Sequence, residues 1–237
     1  MNVSESPALM FTITGIRQET VVGAERMRNA AAEMGIRAGL VLSVQREKWH
    51  LKNDPSALEF IHESVAQGHE QLLGGLGPLT TAGGAAEFHK LGQHESTLRI
   101  TAAQRQLSAL GLHADIFAPS RWLASAEARA AAQRRGMGII ADAYTVRNLD
   151  RGTQQDVRVL AFGDGFGAAK WWRRNVKNSV RRHSNRRQDV RLSISASKAC
   201  RKDVAGDLEW ILQDLMGSGY TPMSYAHFAD RSFQAAA

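Results

Sequence analysis

Apolar positions along the chain recur with two alternating periods. Met10 to Ile16 is apolar and β-branched and predicts a first strand. A helix follows with Met27, Ala31 and Met34 on one face, closed by Gly35. Arg37 to Val44 predicts a second strand with a buried centre. Asp54-Pro55 is a helix start, with Asp as N-cap and Pro in the first turn, and Leu58, Ile61 and Val65 share one face. Gly68 closes that helix, and Leu72-Leu73 enter a third strand whose tip holds only glycines, a leucine and a proline.

Beyond a glycine-rich polar segment from Gly74 to His94, a helix from about Ser96 turns Ile100, Ala103, Leu107 and Leu110 inward and stops at Gly111. His113 to Ala118 reads as a short strand, and Ser125 caps a helix stopped by Gly136. Gly138 to Ala143 and Val157 to Phe162 are two more strands. A helix from about Ala168 spaces Trp172, Val176 and Val180 four residues apart, and Val190 to Ser195 is the next strand. A last helix carries Val204, Leu208, Ile211, Leu212 and Leu215 to Gly217, before a short strand near Tyr220-Thr221. The closing AHFADRSFQAAA is expected to pack loosely.

Strands separated by helices imply a parallel sheet with right-handed crossovers. About seven such units without a linker predict one α/β domain over residues 1–237, a distorted (β/α)7-type barrel. A doubly wound open sheet satisfies the same periodicity.

Composition adds a partner class. The chain has 237 residues, a formal net charge of +7, 43% hydrophobic and 22% charged residues. Those values describe a folded chain with a core rather than a disordered one. No apolar run reaches the roughly 20 residues of a membrane span, and MNVSESPALM lacks the pattern of a secretory leader. Cys200 is the only cysteine, which excludes an internal disulfide and a multi-thiolate metal site. A cytoplasmic setting follows as the expectation. The positive excess is concentrated from Lys170 to Arg191, where Asp189 is the only acid. Such a segment suits a polyanion.

Three stretches resemble the NodB-homology polysaccharide deacetylases: GHE at Gly68 to Glu70, LGLHADIFAPSRWLAS from Leu110 to Ser125, and VLAFGDGF from Val159 to Phe166. The resemblance covers nearly the whole chain and points to a divergent branch. It implies a distorted (β/α) barrel that removes acetyl groups from N-acetylated sugars with a divalent metal. It also implies two aspartates at the tip of the first strand, a His-x-x-x-His pair at the third and a histidine on a late strand. In such chemistry the metal polarises the amide carbonyl and acidifies water, and a carboxylate takes the proton. Here the first tip reads Thr14-Gly15, the histidine pair falls on Gly74 and Pro78, and the late strand reads SISAS from Ser193 to Ser197. The metal donors are not encoded at those tips, so no metal and no cofactor are expected, and a fold alone carries no activity.

Other residues could bind or react. In a (β/α) barrel the loops after the strands form the site-bearing face. Arg121 there can fork onto an anion, and Trp122 can stack on a sugar or pack beneath the next helix. Thr14, Arg17 and Gly74 would lie near the floor of that pocket. Asp142 and Asp164 fall beyond strand ends and could act as a general base or close a turn. His69-Glu70 reads as a helix terminus at the surface. His89 and His94-Glu95 lie in a polar loop where they could bind a metal, although loop histidines are more often solvated and nothing imposes ligand spacing. FGDGFGAAK fits neither a phosphate loop nor a dinucleotide fingerprint, and Cys200 has no assignable histidine partner.

Three functions follow as expectations. The first is a deacetylase-like barrel without the metal reaction, holding a small-molecule or carbohydrate ligand, or an anionic one, at the C-terminal face, with Trp171 nearby. The second is an atypical, metal-independent hydrolase or deacetylase acting on an N-acetylated sugar. The third is a nucleic-acid or polyanion binder using Arg173, Arg174, Arg181 and Arg182, with Trp171 stacking on a base.

Overall fold

The structure, a computed structural model, describes residues 6–46, 48–77, 86–162 and 170–231. Its elements run in chain order β1 (Ala8–Thr14), α1 (Val21–Glu33), β2 (Gly39–Ser43), β3 (Gln45–Arg46), β4 (Trp49–His50), α2 (Pro55–Ala66), β5 (Glu70–Gly75), α3 (Gln93–Ala109), β6 (Ile116–Phe117) and α4 (Ala126–Arg134). The chain continues through β7 (Ile139–Ala141), β8 (Thr145–Asn148), β9 (Thr153–Asp156), β10 (Val159–Phe162), α5 (Lys170–Asn185), β11 (Val190–Ser195), α6 (Ala196–Ala199), α7 (Lys202–Gly217), β12 (Thr221–Pro222) and α8 (Tyr225–Asp230).

The main sheet runs β10-β11-β1-β2-β5-β6-β7-β8-β9. Pairing is parallel from β10 through β7 and antiparallel at β7–β8 and β8–β9. Val159 N of β10 donates to Ala143 O just past β7, so the two ends of the parallel run meet. That contact makes the sheet a distorted barrel rather than an open, doubly wound one. β12 pairs with the start of β1, below the point where β2 begins.

Alternation along each strand sorts residues between two cores. Leu9, Phe11, Ile13, Leu40, Leu42, Leu73, Phe117, Ile140, Leu192 and Ile194 pack outward against the helices. Ala8, Met10, Val41, Leu72, Ile116, Ala118 and Ala141 face inward, where Trp122, Tyr225 and Phe228 join them. The helices bury the stripes their period predicts: Val176 and Val180 on α5, and Val204, Leu208, Ile211, Leu212 and Leu215 on α7. Asp54 caps α2 by accepting Ala57 N, and Ser125 caps α4 by accepting Ala128 N.

Four expectations need correction. The hairpin β8–β9 was not foreseen; its turn ends at Gly152, whose φ of 65° is the left-handed conformation glycine accepts most readily. The predicted strand from His113 to Ala118 shrinks to Ile116–Phe117. His69 lies inside the protein rather than at the surface. Its Nδ1 accepts Ala38 N at 2.9 Å, and burial lowers its pKa. Of the C-terminal segment expected to be loose, Ala226 to Asp230 instead belong to α8, whose Tyr225, Phe228 and Ala229 are buried in the barrel interior, while residues 232–237 lie outside the described residues. Glu70 holds that helix by accepting Tyr225 N at 2.8 Å and Ala226 N at 2.9 Å.

Candidate functional site

The C-terminal ends of the parallel strands form one rim, the face that hosts sites in barrels of this kind. At β1 it carries Thr14, whose register partner on β11 is Ser195. The Thr14 hydroxyl points to Ile194 O at 3.4 Å, and Ser195 and Ser197 share a hydroxyl contact at 2.8 Å. Arg17, in the turn before α1, is partly buried, and its N–H donates to Thr20 Oγ1.

The tip of β5 explains its own composition. Leu42 pairs with Leu73 but Ser43 pairs with Gly75, so Gly74 is the extra residue of a β-bulge. A Cβ on Gly74 would stand 2.8 Å from Ser43 Oγ, 2.8 Å from Val41 Cγ1 and 3.0 Å from the Leu42 carbonyl oxygen. Gly77 has a φ of 145°, and a Cβ there would meet Gln45 O at 2.0 Å. The tip has therefore closed around its bare backbone.

A buried ion pair fastens that closure. Glu87 Oε1 receives Arg99 Nη1 at 2.9 Å, and Glu87 Oε2 receives Gly77 N at 2.9 Å. Arg99 Nη1 also donates to Gly77 O at 3.0 Å, and its Nε to Glu95 Oε1 at 2.8 Å. Burial pushes the Glu87 carboxyl up to about 7, against the opposing pull of Arg99 and the Gly77 amide. Sequence reasoning passed over Glu87 and placed Glu95 in a polar loop; the spacing of Glu95 and Arg99 was the available signal.

Past β6 the chain takes two non-glycine residues into the left-handed region, Arg121 at φ 57° and Trp122 at φ 61°. Such strain costs of order 1 kcal/mol or more per residue. It sends Arg121 to the solvent and turns Trp122, only 7% exposed, into the barrel. Trp122 stacks there on Tyr225 with ring centroids 6.4 Å apart. At the next tip, Asp142 Oδ1 accepts Tyr144 N, Thr145 N and Thr145 Oγ1, closing the turn into β8. Asp164 and Pro78 lie outside the described residues.

The rim thus brings Thr14, Gly74, Arg121 and Asp142 to one face. α5 stands on the outer layer and separates its own residues. Arg173 is buried, with Nη1 3.1 Å from Asp203 and 2.8 Å from Asp207 of α7. Arg174, Arg181, Arg182 and Trp171 are exposed. Lys177 and Arg181 lie 5.2 and 5.6 Å from the ring centroid of Trp210.

Among the described residues, the donor set at the strand tips does not fit a divalent metal. Thr14 is a weak ligand, Gly74 has no side chain and no room for one, and Ser193 and Ser195 are hydroxyls. Among the described residues, no group of three His, Cys, Asp or Glu could hold an ion. No described helix is long and apolar enough to cross a membrane.

No family model matches the sequence, and no curated protein matches it. Solved structures do share the fold. The family 4 carbohydrate esterase from Streptomyces lividans, solved in complex with acetate, aligns at TM-score 0.59 and 14% identity over 93% of each chain. The chitin deacetylase of the fungal pathogen Colletotrichum lindemuthianum aligns at TM-score 0.63 and 11% identity over 98% of this chain and 91% of its own. A pseudoenzyme of the same carbohydrate esterase family from Bacillus anthracis aligns at TM-score 0.59 and 15% identity over 92% of this chain. This chain spans 63% of that pseudoenzyme's length, and 65% of a mutant of it with restored enzymatic activity.

Proposed function

We propose that this barrel is a divergent relative of the family 4 carbohydrate esterases that binds a carbohydrate-like or anionic ligand at its C-terminal face without the metal-dependent reaction. The β5 tip is the observation that carries the reading. A family histidine there would need a Cβ where Ser43, Val41 and the Leu42 carbonyl already stand. With hydroxyls at the β1 and β11 tips, the rim can hydrogen-bond a hydroxyl-rich ligand but cannot acidify water. Arg121, exposed on a strained turn, would recognise a carboxylate or sulfate on that ligand. A lone cysteine agrees with a cytoplasmic setting.

Calorimetric titration with neutral and acidic sugar oligomers tests the reading, using the intact protein and Arg121→Ala. Binding of an acidic oligomer that weakens about tenfold in Arg121→Ala supports it. No heat from any oligomer at millimolar concentration would remove it.

The exposed arginines of α5 favour a second reading, polyanion binding. Arg174, Arg181 and Arg182 would contact phosphates while Trp171 stacks on a base, and Arg173 would serve the α5–α7 contact instead. That reading requires affinity that falls steeply with salt.

A further inference from the structure

Among the described residues four arginines are buried, and three of them meet acids. Arg28 lies 3.6 Å from Glu63, Arg99 pairs with Glu87 and Glu95, and Arg173 with Asp203 and Asp207. The fourth, Arg191, is 0% exposed and stands on the inward side of β11 beside Met10. Among the described residues no carboxylate lies within ion-pair distance of it.

Its partners are neutral. Nε donates to Tyr225 Oη at 2.9 Å, and that hydroxyl meets Thr12 Oγ1 at 2.7 Å. Nη1 donates to the main-chain carbonyl of Asp142, not to its carboxylate. Trp122 and Tyr225 flank the guanidinium from adjacent sides, with Cζ 4.3 and 5.1 Å from their centroids and the two centroids 6.4 Å apart. Nη2 is buried and has no hydrogen-bond partner among the described residues.

An arginine cannot relieve this by losing its proton. A buried charge with an unsatisfied donor is expensive, and two ring faces, one hydroxyl and the carbonyls of Asp142 and Thr145 offset only part of the cost. Ring faces repel anions, so a counter-ion must approach in the guanidinium plane, where Nη2 still offers its hydrogens.

We propose that Arg191 is the receptor for a carboxylate group, bound inside the barrel in the guanidinium plane at Nη2. The carboxylate is a small free acid such as acetate, or the acid group of a larger ligand such as glucuronate. The inference does not depend on sugar binding at the rim, because acetate alone is a sufficient probe.

The test is thermal melting of the intact protein in a zwitterionic buffer against sodium acetate, sodium glucuronate and sodium chloride at equal ionic strength. A saturable rise in Tm with acetate or glucuronate, absent with chloride, is expected. It should vanish in Arg191→Met and persist in Arg105→Met, which removes the same charge from the surface. Stronger binding of acetate identifies the free acid as the source, and stronger binding of glucuronate identifies the larger ligand. Should Arg191→Met fail to fold, ¹⁵N spectra of the arginine side chains of the unmodified protein give the same answer. The guanidinium shielded by two rings must then move saturably with the carboxylate. A carboxylate response equal to that of chloride, its survival in Arg191→Met, an unmoved guanidinium signal, or an experimental map with water alone on Nη2 would overturn the proposal.

Discussion

Replacing Gly74 by alanine tests how tightly the β5 tip has closed. The added methyl would sit 2.8 Å from Ser43 Oγ and Val41 Cγ1 and 3.0 Å from the Leu42 carbonyl. Ser43 can rotate its hydroxyl away at little cost. Val41 faces the inner core and the Leu42 carbonyl belongs to the β2 backbone, so neither yields without shifting a strand. Overpacking of this kind costs about 1–3 kcal/mol. Gly206, inside α7, is the matched control, because nothing lies within 4 Å of its would-be Cβ. Alanine there should stabilise by about 0.5–1 kcal/mol, since glycine is the weaker helix former. Urea melts of the two variants should therefore move in opposite directions from the parent. If Gly74→Ala melts with the parent, the tip has room for a side chain, and the reasoning that excludes a family histidine there is wrong.

Other consequences are as direct. The Glu87 carboxyl is pushed up to about 7 from 4.5, so the folded state holds its proton more tightly than the unfolded chain. The stability this gives is fully present below about pH 4.5 and is lost as pH rises through about 7, a swing of about 3 kcal/mol. Glu87→Gln should flatten that part of the stability–pH curve, and parallel curves for variant and parent would refute the assignment. Asp54→Ala strands Gln18 N, Trp49 Nε1 and Ala57 N together and should cost about 2 kcal/mol or more in urea melts. Arg121→Gly relieves a left-handed backbone and should stabilise by about 1 kcal/mol while weakening an acidic ligand. Neutralising Arg174, Arg181 and Arg182 together should reduce the salt slope of any nucleic-acid binding by up to about 3.

Much of the fold was legible because period and punctuation agree along most of the chain. Val190 to Ser195 is found as read, and Asp54-Pro55 and Ser125 start helices where their capping chemistry indicates. Reading failed where long-range contacts decide. Tyr225 and Phe228 sit in a short polar tail whose periodicity shows nothing, and they become core only because the barrel's interior accepts them. Arg191 was counted in a basic surface run, yet strict alternation with Val190 and Leu192 places it inside. The same alternation was available from the sequence and would have flagged a buried charge. Trp122 reads equally as a stacking platform for a ligand or as packing beneath the next helix, but two left-handed residues turn it into the barrel, a geometry no local pattern announces.

The most direct measurement is a Zn²⁺ titration of the intact protein by calorimetry, paired with detection of acetate released from N-acetylglucosamine oligomers. A barrel whose strand tips hold hydroxyls and bare backbone should show no stoichiometric uptake and no acetate above the protein-free control. One equivalent of tightly bound zinc together with zinc-dependent acetate release would contradict the account.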